Sequence, residues 1–195
     1  EKYLNQFKKE TYEAIEKGFS LNPILESFQA VVNSYDIEKE HIDAFLFSME
    51  LDLSKKEYTQ EEYELYIYGS AEVVGLMCLK VFCKNQKEDY YELESYAKSL
   101  GSAFQKINFL RDIKADFEEK GRTYFPKVDL ENFTQEQKEE IEKDIAIDFA
   151  DGFKGIKNLP SNAKFGVYTA YLYYLKLLEK IQSCKASTIK NQRIR

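Results

Sequence analysis

The sequence predicts an all-α fold, a single-domain bundle of six or seven helices. Apolar residues recur at helical spacing almost from end to end, and no segment shows the alternating pattern of a half-buried β-strand. Only 3 prolines and 8 glycines interrupt the 195 residues, too few turn residues for a protein of many strands. With 44% hydrophobic residues and no visible linker, residues 1–195 are expected to form one domain around one core.

The boundaries of the first helices follow from capping residues. An amphipathic segment at residues 1–17 predicts the first helix. Asn22 followed by Pro23 predicts the start of the second, because Asn caps helices and Pro suits their first position. Asp36 is predicted to cap the third helix, in which Phe45 and the apolar residues after it recur at helical spacing.

Two capping boxes define the later helices. Thr59 with Glu62 and Thr134 with Gln137 each match the pattern in which a Thr side chain and a Glu or Gln three residues later satisfy free backbone N–H groups. Gly121 is predicted to end the longest helix, since glycine adopts the left-handed conformation found just after many helices. The predicted spans are residues 59–83, 88–120, 134–158 and 162–183.

The charge and the cysteine content exclude several classes of protein. A net charge of −6 disfavours binding to nucleic acid, which needs an electropositive surface. Three cysteines without C-x-x-C spacing and a single histidine argue against a zinc site, and reduced cysteines fit a cytoplasmic protein. The longest apolar run, residues 73–82, is shorter than the ~20 residues of a membrane span. A peripheral membrane contact is compatible with the sequence, and no oligomeric state is indicated.

One face of the longest helix carries an unusual row of polar residues. Gln105, Asn108, Asp112 and Asp116 fall within an arc of about 80° when successive residues advance by about 100°. Two like charges one turn apart cost a few tenths of a kcal/mol in an isolated helix, which a bound cation would offset. The residues predicted to face the core on the opposite side are Ala103, Ile107, Leu110, Ile113 and Phe117.

Magnesium is the cation that suits this row best. Mg²⁺ prefers oxygen ligands and is commonly held by one or two carboxylates together with substrate phosphates. Asp112 and Asp116 are therefore predicted ligands, and Arg111 beside them could reach an oxygen of a diphosphate. The alternative is a solvated helix face that also includes Lys114 and Glu118, and the spacing of the two aspartates alone favours this alternative because it is common by chance.

Three segments carry a more specific pattern. Residues 105–126 read Q-x-x-N-x-x-R-D-x-x-x-D followed by G-R-x-Y-x-P. Residues 49–53 read M-E-x-D-L, and residues 66–75 read Y-x-Y-x-x-A-x-x-V-G. Together and in this order, the three segments resemble motifs of the squalene/phytoene synthase family of head-to-head prenyl synthases. Ser48 departs from the pattern at a position where the family usually has glycine.

The resemblance implies an isoprenoid synthase fold and a Mg²⁺-dependent prenyltransferase. Members of the family condense two prenyl diphosphates, commonly geranylgeranyl diphosphate, head to head into phytoene through a cyclopropyl diphosphate in carotenoid synthesis. The resemblance assigns Mg²⁺ to Asp112, Asp116 and Asn108, with Gln105 assisting at the substrate. Arg111 is implied to bind the diphosphate as a catalytic residue.

Further substrate contacts are implied around the cavity that would hold the prenyl chain. Tyr66 matches the family's active-site tyrosine, which lies near the rearranging carbocation. Val73, Val74 and Gly75 are expected to line the cavity, although close packing between helices would explain the small residues nearby equally well. Among the tyrosines of the last helix, the family pattern favours Tyr174 as a substrate contact.

The loop after the longest helix has two open interpretations. Arg122 and Tyr124 could close over the phosphates of a bound substrate, in which case Arg122 binds substrate. Alternatively, both residues could pin the loop against the neighbouring helices. The sequence does not decide between these roles.

The family's first aspartate-rich motif is not found in the chain. Residues 1–35 contain no aspartate, and Asp36 with Asp43 has the wrong spacing. Because the chain also begins at Glu1, we expect that N-terminal helices of a longer protein are missing and that activity of this fragment alone is open.

Three other functions are weighed against phytoene synthesis. A dehydrosqualene or squalene synthase acting on farnesyl diphosphate would share the same motifs. A non-catalytic helical partner protein, derived from such a synthase, would explain the missing motif. Head-to-tail chain elongation is disfavoured because the sequence lacks a D-D-x-x-D pattern.

Overall fold

The computed structural model describes residues 1–84, 87–126, 128–129 and 131–194. These residues form α-helices joined by short loops, and their only β-type pairing is one isolated bridge. The predicted all-α fold is confirmed. The helices are α1 (Lys2–Lys17), α2 (Pro23–Tyr35), α3 (Lys39–Ser54), α4 (Gln60–Ile67), α5 (Val73–Phe82), α6 (Lys87–Lys120), α7 (Gln135–Asn158), α8 (Ser161–Gln182) and α9 (Ala186–Asn191).

Most of the predicted caps are present. The side chain of Asn22 accepts a hydrogen bond from a backbone N–H of the first turn of α2. Complete capping boxes join Thr59 to Glu62 at the start of α4 and Thr134 to Gln137 at the start of α7. These short-range patterns are therefore sufficient to place three helix starts.

Two local predictions need correction. Asp36 does not start α3 but ends α2, with a left-handed φ of 50° and its N–H donating to the carbonyl oxygen of Val32. Asp tolerates this conformation better than most residues, so it serves as a helix end here. Glu38 is the residue that precedes α3. The sequence also gave no indication of α9, a helix of six residues after the predicted last helix.

The predicted helix over residues 59–83 contains a wide turn. A π-helical segment, Tyr68–Glu72, joins α4 to α5, and the N–H of Val73 donates to the carbonyl oxygen of Tyr68. A Cβ atom on Gly69 would overlap the carbonyl oxygen of Ala44 in α3. The wide turn therefore lies where this helix comes closest to α3, and π-turns of this kind are frequent at functional sites.

The same helical stretch satisfies the length and composition of a membrane span. In the described part of the chain, Gln60–Phe82 is the one helix that does so, and 39% of its most apolar window is buried within the protein. The apolar run at residues 73–82, too short to span a membrane by itself, is the second half of this stretch. The stretch packs against α3 and α6 in the bundle, as a core helix does.

Helix α6 is the centre of the bundle and packs against α5, α7, α8 and α9. Ile107 and Leu110 have no exposed surface, and Ile113 is 5% exposed, so the predicted apolar face is buried. Phe117 is the exception, with 38% of its surface exposed. All of residues 117–120 are exposed because α6 extends past its neighbours there.

The loop after α6 is tied to the loop after α3. Gly121 ends α6 with a φ of 59°, as predicted from its sequence position. Thr123 forms the isolated parallel bridge with Glu57, and its N–H donates to the carbonyl oxygen of Lys56 at 2.9 Å. This connection brings the G-R-x-Y-x-P segment onto the end of α3.

Candidate active site

The N-terminal half of α6 lines an apolar cavity of about 560 Å³. Residues of α5, α7, α8 and the π-turn form the other walls. Small residues are present on each of these walls. The small residues that line it include Ala71, Gly75, Gly101, Gly152, Gly155 and Gly166.

Small residues also let the helices approach closely. The two predicted roles of these residues, lining the cavity and close helix packing, therefore both apply. A Cβ on Gly75 would lie 2.8 Å from the carbonyl oxygen of Ala97, and one on Gly101 would lie 2.6 Å from that of Ala71. Around Gly166, by contrast, a Cβ would meet nothing within 4 Å. The cavity therefore has tightly packed walls and an open side at α8.

The predicted lining residues divide into two groups. Val74, Gly75 and Gln105 line the cavity. Val73 has no exposed surface and lies in the core outside the lining, because it follows the π-turn on the inner side of the helix. Val73 therefore packs in the core and does not form part of the cavity wall.

The C-terminal half of α6 lines a polar cleft of about 540 Å³. Asp112 and Asp116 lie on one wall, and residues 191–193 at the end of α9 form the other. Seven residues of helix, about 10 Å, separate Gln105 in the cavity from Asp112 in the cleft. One helix therefore connects an apolar cavity to a polar cleft.

Asp112 is held between two arginines. Nε of Arg111 donates to both of its carboxylate oxygens at 3.1 Å, and Nε of Arg193 donates to Oδ1 at 2.5 Å. Burial raises the pKa of Asp112, but the hydrogen bonds from the two guanidinium groups outweigh this effect and hold the pKa below its usual range. Asp112 is therefore ionised at neutral pH.

Asp116 lies one turn further and is more buried. Its exposed fraction is 8%, and Nζ of Lys120 donates to Oδ1 at 2.7 Å. The two aspartates offer oxygen ligands only, the type that Mg²⁺ prefers. Among the described residues, no group of three or more acidic, Cys or His side chains is placed so that it could hold a metal ion by itself. Two carboxylates fit an ion that shares its remaining ligands with phosphate and water.

Asn108 and Tyr174 lie at the junction between cavity and cleft. The hydroxyl of Tyr174 donates to Oδ1 of Asn108 at 3.4 Å, a long hydrogen bond. The ring of Tyr174 stacks on Phe104, with centroids 4.0 Å apart, and Phe104 lines the cavity. Both predicted residues therefore lie at the segment of α6 between Gln105 and Asp112, which joins the two spaces, although neither lines the cavity or the cleft.

Tyr66 and Arg122 both contact Asp52, a residue near the end of α3 to which the sequence patterns assign no role. The hydroxyl of Tyr66 lies 3.0 Å from both carboxylate oxygens, and NH1 of Arg122 donates to Oδ1 at 2.8 Å. Arg122 also donates to the hydroxyl of Tyr124 at 2.7 Å and to the carbonyl oxygen of Lys55 at 3.2 Å. These contacts favour the second interpretation of Arg122, in which it pins the loop.

Burial sets the ionisation state of Tyr66. Removal from water, followed by its hydrogen bonds to Tyr124 and Asp52, raises the pKa of the phenol far above its usual range. Tyr66 is therefore neutral, and its hydroxyl donates a hydrogen bond to Asp52. Its ring lies 5.8 Å from Phe109 and 5.1 Å from Tyr124, between centroids, in an aromatic cluster next to the junction.

Two residues of the site were missed from the sequence. Arg193 lies 81 residues from Asp112, and only the basic character of residues 190–195 pointed to it. Asp52 belongs to the M-E-x-D-L segment, but no role was assigned to it. In both cases the partner comes from a distant element, so spacing along the chain carried no signal.

Solved structures with the same arrangement of helices exist. A squalene synthase from Alicyclobacillus acidocaldarius superposes with a TM-score of 0.78 at 19% identity, over 97% of this chain and 74% of that one. A dehydrosqualene synthase in complex with ligand gives a TM-score of 0.78 at 21% identity, over 92% and 67%. The class that these superpositions define is thus an all-α protein with the isoprenoid synthase fold.

The sequence comparisons narrow this class to one family. Residues 1–149 match the family model of squalene/phytoene synthase, and the chain belongs to that family. It is 32% identical to the 15-cis-phytoene synthase of Synechocystis sp. over 157 residues, 68% of this chain and 46% of that protein. It is 29% identical to the chloroplastic phytoene synthase of Daucus carota, over 78% of this chain and 42% of that protein. The chain therefore spans less than half the length of these two relatives.

Proposed function

We propose that the full-length protein is a prenyltransferase that condenses two molecules of geranylgeranyl diphosphate head to head into phytoene. The arrangement along α6 is the observation that carries this proposal. A prenyl diphosphate has an apolar chain and an anionic head, and α6 presents an apolar cavity about 10 Å from a cleft with two carboxylates. The family membership and the phytoene synthases among the relatives support the same reaction.

The cleft supplies the groups that a diphosphate head needs. Asp112 and Asp116, assisted by Asn108, would hold Mg²⁺, which neutralises the charge that builds up on a departing diphosphate. Arg111 and Arg193 would turn from Asp112 to the diphosphate oxygens, because guanidinium groups bind phosphate with paired hydrogen bonds.

The cavity would protect the reactive intermediate. An allylic carbocation forms when the first diphosphate leaves, and water would trap it. Apolar walls at Val74 and Gly75 would exclude water. The ring of Tyr174, which stacks on Phe104 of the cavity wall, and the buried ring of Tyr66 would stabilise a cation that comes within reach of their π-faces. Gln105 lies in the cavity wall on the side of the cleft, where the chain of the substrate joins its head.

Condensation of farnesyl diphosphate is the second candidate. The 4,4′-diapophytoene synthase of Staphylococcus haemolyticus is 38% identical over 79 residues, 40% of this chain. Residue type alone does not set the chain length that the cavity accepts. Product analysis after parallel incubations with farnesyl and geranylgeranyl diphosphate separates the two candidates.

The decisive experiment measures diphosphate release. Full-length protein with Mg²⁺ and geranylgeranyl diphosphate is expected to release two diphosphates per phytoene and to stop when EDTA is added. Asp112→Asn should lower the rate at least about 100-fold, equivalent to about 2.7 kcal/mol of transition-state stabilisation. Asp151→Asn, a change of the same kind in an exposed ion pair of α7, is the control and should keep wild-type activity.

Two outcomes contradict the proposal. A folded protein that releases no diphosphate from either substrate would instead support the non-catalytic partner protein. Full activity in Asp112→Asn would remove the magnesium assignment.

We further propose that the protein is cytoplasmic and touches a membrane surface peripherally. Its cysteines Cys78, Cys83 and Cys184 are free thiols, as expected in a reducing compartment. A hydrocarbon product also needs a lipid phase to accept it. Cell fractionation should find the protein in the soluble fraction or released from membranes by salt, and resistance to salt extraction would contradict the proposal.

A further inference from the structure

One carboxylate joins three separate elements of the chain beside the junction of cavity and cleft. Asp52 of α3 accepts hydrogen bonds from Tyr66 of α4 and from Arg122 of the loop after α6. The hydroxyl of Tyr124 lies within 3.4 Å of the same oxygen that Arg122 contacts.

The position of Asp52 is itself fixed. NH2 of Arg122 donates to the backbone carbonyl oxygen of Asp52 at 2.5 Å, while Nε of Arg122 donates to that of Lys55. The guanidinium group thus holds both the backbone and the side chain at the end of α3. It also balances the charge of the Asp52 carboxylate, so this carboxylate would not itself pull the carbocation out of position.

The geometry at Tyr66 has a chemical consequence. Its hydroxyl is equidistant from the two oxygens of Asp52, at 3.0 Å, so the O–H bond points into the carboxylate. A phenol that donates to a carboxylate gains electron density on its oxygen and ring, and both then stabilise a nearby positive charge more strongly. The rings of Phe109 and Tyr124 keep the phenol in this orientation.

We propose that Asp52 is a positioning residue that orients and polarises the phenol of Tyr66, so that Tyr66 can stabilise the carbocation of the proposed reaction. This inference rests on the proposed prenyltransferase function. Asp52 does not touch substrate in this arrangement and acts through Tyr66 alone. Its loss should therefore slow the chemical step and leave substrate binding unchanged.

A double-mutant cycle tests this dependence. In the full-length protein, Asp52→Asn should lower kcat about tenfold while KM for the prenyl diphosphate changes less than about twofold. Tyr66→Phe should have an effect of similar size, and the double variant should be no slower than Tyr66→Phe alone. Effects that multiply in the double variant would overturn the proposal, because they would show that Asp52 acts independently of Tyr66.

The chain offers a matched control in the same helix. Asp43 of α3 also accepts a hydrogen bond from a tyrosine, Tyr12 of α1. Neither of these two residues lines the cavity. Asp43→Asn makes the same chemical change and should leave kcat at the wild-type value. An equal loss of kcat in Asp43→Asn would assign the effect to general loosening of α3 and would overturn the proposal.

Folding is checked by circular dichroism, and Asp52→Ser replaces Asp52→Asn in the cycle if the amide variant does not fold. If the wild-type protein turns over no prenyl diphosphate, the proposed function fails and the cycle is measured on urea midpoints instead. If the shifts in urea midpoint caused by Asp52→Asn and Tyr66→Phe do not add in the double variant, the result would support a direct interaction between Asp52 and Tyr66. Additive midpoints would overturn it.

Discussion

The two halves of α6 form their spaces in opposite ways. In the N-terminal half, glycine and alanine let neighbouring backbones come close, and these small residues line the cavity. In the C-terminal half, charged side chains of α6 face the charged side chain of Arg193 across the cleft. The first space depends on backbone packing and the second on side-chain chemistry. Substitutions in the cavity walls should therefore affect stability, and substitutions in the cleft should affect activity.

The largest effect is expected in the cleft. Asp116→Asn removes the second carboxylate and should lower kcat/KM about 100-fold, equivalent to about 2.7 kcal/mol. The free energy of unfolding should change by less than about 1 kcal/mol, since the ion pair with Lys120 is partly exposed. Glu118→Gln, a neighbouring acid in the same cleft, should keep its activity. If Asp116→Asn lost stability and kept activity, the contrast between the two spaces would be wrong.

A cavity wall should respond in the opposite way. A Cβ on Gly155 would overlap that of Tyr96, so Gly155→Ala should lower the free energy of unfolding by about 1–3 kcal/mol. Gly166→Ala is the matched control, because its Cβ meets nothing within 4 Å and alanine favours helix by up to about 1 kcal/mol. Urea unfolding of both variants measures the difference. Equal stabilities would show that the wall at Gly155 is not tightly packed.

Gly166→Leu sharpens the comparison by filling the cavity from its open side. The leucine side chain enters free space, so the protein should fold at least as well as wild type. Binding of geranylgeranyl diphosphate should weaken about tenfold, about 1.4 kcal/mol, while farnesyl diphosphate with its shorter chain should lose less. Equilibrium binding measurements with both diphosphates show the difference. Equal losses for both substrates would place the end of the chain elsewhere.

The smallest effect concerns pH. The pKa of Asp112 lies below its usual range in the folded protein, so its ionised form contributes stability above the unfolded-state pKa of about 3.9. That contribution is lost as pH falls through the lower folded-state pKa. We expect Asp112→Asn to be less stable than wild type by under about 1 kcal/mol from pH 5 to 7, and equally stable near pH 2. A difference that grows as pH falls below 4 would contradict the ion pairing with Arg111 and Arg193.

Helical periodicity was enough to predict one wall of the site. Asp112 and Asp116 share a face because residues four apart in a helix lie one above the other, which needs no knowledge of the tertiary fold. The opposite wall was not predictable in this way. Arg193 reaches Asp112 only after α8 and α9 have packed against α6, and that packing is not written in the spacing of either segment.

Local rules also failed where two elements compete for one residue. Asp36 has the right chemistry to cap α3, but α2 ends there first and uses its left-handed conformation. The π-turn at Tyr68–Glu72 is similar, because the pattern of residues 59–83 is that of an ordinary helix. The sequence does not reveal that Gly69 comes into contact with Ala44 of another helix.

The bridge between Glu57 and Thr123 makes two segments beside the C-terminal half of α6 differ in how firmly they are held. The loop after α6 is fastened to α3 by this bridge and by the hydrogen bonds of Arg122. Arg193, which follows α9 in the wall of the cleft, forms an ion pair with Asp112. If the cleft binds a diphosphate as proposed, Mg²⁺ and Arg193 would compete for the carboxylate of Asp112. Binding of the head group would then require this ion pair to open, while the loop after α6 stays in place.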